Sequence, residues 1–265
     1  MSLPLPAAGH ALRALLARAG AASLDHFGAG SPRRKADGTW LTDADLAAEA
    51  VLLEGLRAGW PGEAILSEER GSVPGTGPAR WVVDPLDGTS AFTEGLAHWG
   101  PTLARLVPSG DSERVDIGAL WLPRLGEYYF VDETGAWMGD ELLRPLAEQD
   151  ISRVVYLPSA FHRHFGMRFQ GKARCLGGTA AHLALVARGA ARAAVVAPGW
   201  SIWDTATGLT MIGAVGGRAL RLPDGAPLDP IRDTGSAFIA GDAASVEELA
   251  SAGQITPLQK GAGHG

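Results

Sequence analysis

The strongest constraint on the fold is the rhythm of the second half of the chain. Ala173–Leu176 reads as a strand and Thr179–Arg188 as a helix stopped by Gly189. Ala193–Ala197 is again a strand, and Thr205–Val215 a helix stopped by Gly216-Gly217. Short apolar runs alternating with helical patterns bury their apolar faces in stacked layers, so the fold class is α/β. Phe238–Ala240 adds a last strand, Ser245–Leu249 begins a last helix, and Lys260–Gly265 is expected to fray.

The first half begins with an amphipathic helix over Ala11–Phe27, with Leu12, Leu15, Leu16 and Ala19 on one stripe. Gly28–Pro32 ends it, and Arg33–Gly38 is a basic, polar loop. Thr42 caps a second helix whose apolar stripe is Leu46, Ala50, Leu53 and Leu56. Strands follow at Ala64–Leu66, Trp81–Val83, Thr102–Val107 and Ile117–Leu122. Tyr128–Val131 pairs back across the turn Pro123–Gly126, and Val154–Leu157 is one more strand. A boundary near Leu146–Ser152 divides one compact unit into halves, residues 1–148 and 149–265.

At 265 residues, the chain can bury a core without help from a disulfide or a metal. Its single cysteine, Cys175, excludes an intramolecular disulfide and makes a cysteine zinc site untenable. With 23 basic and 29 acidic residues the net charge is −6, which disfavours a nucleic-acid polymer as partner. Arg13 and Arg18 interrupt the N-terminal apolar stretch, and Arg188 and Arg192 break Leu183–Pro198, so neither a signal peptide nor a membrane span is expected. A cytoplasmic location follows as the expectation.

The chemistry gathers in Trp81-Val-Val-Asp-Pro-Leu-Asp-Gly-Thr89. An apolar strand delivers Asp84, Pro85 keeps Asp84 extended, and Asp87 follows three residues later. Two acids on one tight turn repel unless a cation lies between them, and a hard cation such as Mg²⁺ takes carboxylate and carbonyl oxygens. Asp84, Asp87 and the Leu86 carbonyl are such donors, and Gly88-Thr89 can turn backbone N–H groups toward a phosphate. Ser67-Glu68-Glu69 also follows an apolar run; beside a metal turn, Glu68 becomes a bridging candidate. Ile202-Trp203-Asp204 leads into a helix, where Asp204 also suits a plain N-cap and Trp203 a core position. Thr42 with Asp45 has the spacing of a capping box, and Gly177-Gly178-Thr179 is a generic helix-start anion site. His182 reads as a packing residue on its helix.

Together these pieces resemble the inositol monophosphatase superfamily, Mg²⁺-dependent and lithium-sensitive phosphatases. Its pattern is an acidic pair, then Asp-Pro-(Ile/Leu)-Asp-Gly-Thr, then a distant Trp-Asp. Here these stand as Glu68-Glu69, Asp84–Thr89 and Trp203-Asp204. The resemblance implies a layered α-β-α-β-α sandwich with two β-sheets, in a homodimer. It implies that Glu68, Asp84 and the Leu86 carbonyl hold a first Mg²⁺, that Asp84, Asp87 and Asp204 hold a second, and that two or three ions bind in all. Thr89 and Asp45 match the pair that activates the attacking water, with Glu68 helping through the metal. Gly88 and Thr89 would touch the phosphate, Gly178, Thr179 and Ala180 the rest of the substrate, and Asp87 and Asp204 would also bind substrate.

The function implied is hydrolysis of a small phosphomonoester. The alternatives are a 3′-phosphoadenosine 5′-phosphate phosphatase, a histidinol-phosphatase, and a catalytically silent regulator that binds metal or phosphate. Inositol-specific relatives carry an acid seven residues before the Trp-Asp aspartate, where this chain has Ala197. The departure implies no strong preference for inositol 1-phosphate.

Overall fold

The computed structural model describes residues 4–28, 32–35, 38–151, 153–169, 171–222, 224–251 and 253–258. The tail expected to fray, 260–265, lies outside them, as do 29–31, 36–37 and 152 from the two loops and the boundary segment named above.

The first half contains α1 (Ala7–Leu24), the hairpin β1 (Arg33–Arg34) and β2 (Trp40–Leu41), and α2 (Asp43–Gly59). Then come β3 (Ala64–Ser67), β4 (Gly71–Val73), β5 (Arg80–Asp87), α3 (Thr89–Thr93), β6 (Gly100–Ser109), β7 (Ser112–Leu122), β8 (Glu127–Asp132), β9 (Gly135–Met138) and β10 (Glu141–Leu142). The second half contains β11 (Val154–Tyr156), α4 (Phe161–His164), β12 (Phe165–Met167), β13 (Lys172–Arg174), α5 (Thr179–Ala187) and β14 (Ala193–Val196). It ends with α6 (Ile202–Ala214), β15 (Arg218–Arg221), β16 (Phe238–Gly241), α7 (Ala243–Ser251) and β17 (Ile255–Pro257).

Eight strands form the first sheet, in the order β10-β9-β8-β7-β6-β5-β3-β4. Its neighbours are antiparallel except β3 and β5, which run parallel. The second sheet has the order β13-β11-β14-β16-β15, with β11 parallel to β13 and β14 and the other pairs antiparallel.

Strand alternation sends neighbouring side chains to opposite faces, and this builds the layers. On the outer face of the first sheet, Trp81, Val83, Leu103, Tyr128 and Phe130 pack under α1 and α2 through Leu12, Leu16, Leu52 and Leu56. On its inner face, Leu120, Tyr129 and Val131 meet Leu183, Ala184, Met211 and Ile212 of α5 and α6. Those helices rest in turn on Ala194, Val196, Phe238 and Ala240 of the second sheet. The far side of that sheet, through Val155, Val195 and Ile239, packs under Val246 and Leu249 of α7. The result is an α-β-α-β-α sandwich.

Two local expectations are corrected. In α2 the buried stripe is Ala44, Asp45, Ala48, Glu49, Leu52, Leu53 and Leu56, while Leu46 is 43% exposed and Ala50 also faces outward. Leu53 and Leu56 are buried as expected, but the inward face of the first turns carries two acids, so the apolar pattern misplaces the stripe there. In α6 the N-cap is Ser201, not Asp204; Asp204 is the third helical residue and closes a capping box.

Candidate metal centre and active site

Three carboxylates converge where β3, β5 and the start of α6 meet. Glu68, Asp84 and Asp204 each offer an oxygen within 4.8 Å of the others. Glu68 is placed by extension of the parallel β3–β5 pairing, its N–H donating to the Val83 carbonyl at 3.0 Å. Asp84 follows Val83 directly and is 2% exposed. Asp204 arrives from the opposite layer; its Oδ2 accepts the Ser201 N–H at 2.6 Å.

Asp87 is brought in by an irregularity in β5. Asp84 lies opposite Thr102, but Asp87 lies opposite Gly100, so three steps on β5 match two on β6. In an unbroken strand, residues three apart face opposite sides. The extra residue turns Asp87 back toward the side that Asp84 faces, a known use of a bulge. Its carboxylate is then held by the N-terminus of α5. Oδ1 accepts from the Thr179 N–H at 3.0 Å, and Oδ2 from Ala180 at 2.9 Å and Ala181 at 3.4 Å. The anion site expected at Gly177-Gly178-Thr179 thus takes an internal carboxylate.

Two glycines permit this approach. Gly88 has φ +88°, and a Cβ there would lie 2.8 Å from the Gly178 nitrogen. A Cβ on Gly178 would lie 2.0 Å from Asp87 Oδ2.

Asp45 serves two groups at once. Oδ2 accepts from the Thr42 N–H at 2.7 Å and the Thr42 hydroxyl at 2.6 Å, which closes the α2 capping box. Oδ1 accepts the Thr89 hydroxyl at 3.1 Å, and that hydroxyl also lies 3.2 Å from the Leu86 carbonyl.

The electrostatics are those of a cation site. Burial raises Asp84 well above the usual carboxylate range, and the charges of Glu68, Asp87 and Asp204 push it the same way. Burial, then Asp204, pushes Asp87 up to about 8, against the pull of the α5 amides. Asp204 is pushed up to about 7 by burial, and Asp45 is raised for the same reason. Within the protein one cation already faces the group: Lys35 Nζ lies 2.8 Å from Glu68 Oε1 and 2.5 Å from Glu69 Oε1. Buried carboxylates that repel one another, with oxygen donors only, fit a hard divalent ion.

Glu49 and Lys35 were not singled out as site residues from the sequence. Glu49 is 3% exposed and accepts the Ser67 hydroxyl at 2.6 Å and the Arg70 N–H at 2.8 Å, bracketing Glu68 and Glu69. An acid four residues beyond Asp45 on the same helical face was the available signal. Ala197 follows β14 and packs against the apolar cluster under α7. Among the described residues, no helix is long and apolar enough to cross a membrane.

The chain is 32% identical to a histidinol-phosphatase of Chlorobaculum parvum over 77% of its own length and 81% of that protein's. It is also 32% identical to an inositol-1-monophosphatase of Mesorhizobium japonicum, covering 69% of this chain and 72% of that one. Among solved structures, the extragenic suppressor protein suhB of Bartonella henselae shares the fold, with a TM-score of 0.80 at 22% identity over 97% of this chain and 100% of that one. An IMPase of Thermotoga maritima superposes with a TM-score of 0.78 at 25% identity, covering 91% and 94% of the two chains. The model of the inositol monophosphatase family matches residues 7–252, and the chain belongs to that family.

Proposed function

We propose that this protein is a Mg²⁺-dependent phosphatase that hydrolyses a small phosphomonoester. The observation that carries this is the convergence of Glu68, Asp84 and Asp204 oxygens within 4.8 Å. When bound, divalent ions supply charge neutralisation at the phosphoryl group and the leaving oxygen. Glu68, Asp84 and the Leu86 carbonyl would hold a first ion, and Asp84, Asp87 and Asp204 a second.

The rest falls to this chain's own groups. The Thr89 hydroxyl donates to Asp45 Oδ1 and so keeps a lone pair free for the attacking water. The water's proton passes to Thr89 Oγ1 as the Thr89 proton passes to Asp45. Burial raises Asp45 above an ordinary carboxylate, which makes it a better proton acceptor. Gly88 and Thr89 present N–H groups to the phosphate. The Thr179 and Ala180 N–H groups are engaged by Asp87, which leaves the Thr179 hydroxyl for the leaving group and one Asp87 Oδ1 lone pair for the second ion.

Ala197 carries no acceptor and packs under α7, so a ring-hydroxyl contact from this position is missing, and our reading is that inositol 1-phosphate is one substrate among several. The similarity to a histidinol-phosphatase favours histidinol phosphate as the second candidate. Phosphate release from inositol 1-phosphate, histidinol phosphate, 3′-phosphoadenosine 5′-phosphate and a simple polyol phosphate tests the proposal. Turnover of at least one is expected, with kcat/KM for inositol 1-phosphate no more than about 10-fold above the best of the others, less than one strong charged hydrogen bond would confer. Absence of turnover on all of them with Mg²⁺ present would remove the phosphatase assignment.

A further inference from the structure

His182 is a buried polar residue that the proposed chemistry does not use. It lies on α5 one turn from Thr179 and is 3% exposed. Its neighbours in sequence, Ala181, Leu183 and Ala184, are fully buried and apolar. Its ring stacks on Tyr156, with centroids 5.0 Å apart and planes 12° apart. An aliphatic side chain would fill such a place without the cost of desolvating an imidazole.

The imidazole has one specific task. Its Nε2 accepts the Leu176 N–H at 3.0 Å, which places the ring proton on Nδ1. Burial, and then the charge of His98, pulls its pKa down to about 4, so it stays a neutral acceptor at neutral pH. Leu176 opens the turn Gly177-Gly178. The far end of that turn is held from another element, with the Gly178 N–H donating to the His98 carbonyl at 2.8 Å. Directly after these two anchors the chain enters α5, and the helix's first three N–H groups hold Asp87.

We propose that His182 is a positioning residue: through Leu176 N–H it fixes the Gly177-Gly178 turn, and so sets the α5 amides that orient the Asp87 carboxylate for metal and substrate. The metal and substrate part rests on the phosphatase assignment above; the link from His182 to the Asp87 clamp does not.

The test uses three variants of the full chain. His182→Leu removes the acceptor, and the shorter side chain of His182→Asn cannot reach Leu176 N–H. His182→Gln keeps an acceptor on a longer arm. Two readouts need no activity: hydrogen exchange of the 176–181 amides in chelated protein, and Mg²⁺ titration by calorimetry. In His182→Leu and His182→Asn these amides should exchange about 10-fold faster and Mg²⁺ should bind about 10-fold more weakly, the scale of one hydrogen bond. His182→Gln should recover most of both. If His182→Leu does not fold, His182→Asn and His182→Gln are read by the same criteria.

Wild-type exchange at 176–181 together with an unchanged Mg²⁺ isotherm in the folded acceptor-free variants would reduce His182 to packing and overturn the proposal. So would a His182→Gln variant as impaired as His182→Leu. If the wild type hydrolyses no phosphomonoester, the phosphatase assignment fails, while these two readouts still decide the role of His182.

Discussion

Asp45→Asn separates the two tasks of one carboxylate. In the wild type, Oδ2 takes both Thr42 donors and Oδ1 takes the Thr89 hydroxyl. An asparagine has one carbonyl oxygen, and the two Thr42 donors at 2.7 and 2.6 Å favour turning it toward Thr42. The cap then survives, so the cost should fall at the low end of the roughly 0.5–2 kcal/mol for a lost helix cap. Burial already disfavours the Asp45 charge, and a neutral amide removes that penalty. Melting should therefore shift by no more than a few degrees. At Thr89 the outcome is different. The Asn Nδ2 faces Thr89 Oγ1 as a donor, so the hydroxyl becomes an acceptor and turns its proton to the Leu86 carbonyl. It can then neither accept the water's proton nor pass its own to residue 45. Loss of a general base costs about 10²–10⁴-fold in rate, and kcat should fall by that order while Mg²⁺ affinity stays within about threefold. The assay is steady-state phosphate release at saturating Mg²⁺, with a Mg²⁺ titration and a melt on the same protein. Wild-type kcat with a loss of roughly 1 kcal/mol or more in stability would mean that Asp45 only caps α2.

Other perturbations follow from the same geometry. Asp87→Asn sets an amide NH2 against at least one α5 N–H donor, so the metal-free melt at pH 7 should fall by about the cost of one hydrogen bond, roughly 1 kcal/mol, while the loss of charge adds little because burial holds Asp87 near pKa 8 and largely neutral there. The stabilisation that Mg²⁺ confers on it should shrink, and an equal Mg²⁺ shift in both proteins would place the ion away from Asp87. Asp204 and Asp87 are held near 7 and 8 against an ordinary value of 3.8, so the folded metal-free protein binds protons that the unfolded chain has released. Its melting temperature should fall as pH rises from about 4 through 8, and Mg²⁺ should flatten that fall while releasing protons measurable by calorimetry in two buffers; a metal-free melt that rises across this window would contradict the raised carboxylates. Gly178→Ala should displace Asp87, since the added methyl meets Oδ2 at 2.0 Å, and should weaken Mg²⁺ binding in a protein that still melts cooperatively; unchanged binding would show that the turn yields freely. Glu49→Ala leaves the Ser67 hydroxyl and Arg70 N–H without their acceptor and should cost about 1–3 kcal/mol of stability, along with Mg²⁺ affinity. Glu49→Gln should retain most of both.

The layered architecture was legible because strand and helix periods are strong in this chain. Leu12, Leu15, Leu16 and Ala19 are buried as their spacing requires, and β7 and β8 pair across Pro123–Gly126. The stripe of α2 misled because its inward face carries Asp45 and Glu49, acids buried for their hydrogen bonds rather than their hydropathy. The start of α6 was placed too late for a similar reason: Ser201 and Asp204 form a polar entry that periodicity does not register. Asp84 and Asp87 announced themselves by their turn, but the bulge that turns both to one side depends on the register with β6. The α5 clamp on Asp87 and the grip of His182 on Leu176 are tertiary: residue 87 meets 179–181, and no local pattern encodes that meeting.

Metal-dependent turnover tests the central claim most directly. Protein stripped of divalent ions is assayed for phosphate release on the four candidate phosphomonoesters, and Mg²⁺ is then titrated back, for the wild type and for Asp84→Asn. Stripped wild type should be inactive, Mg²⁺ should restore turnover on at least one substrate, and Asp84→Asn should remain inactive at every Mg²⁺ concentration. Undiminished turnover by the stripped wild type, or Mg²⁺-restored activity in Asp84→Asn equal to that of the wild type, would contradict catalytic divalent ions bound among Glu68, Asp84 and Asp204.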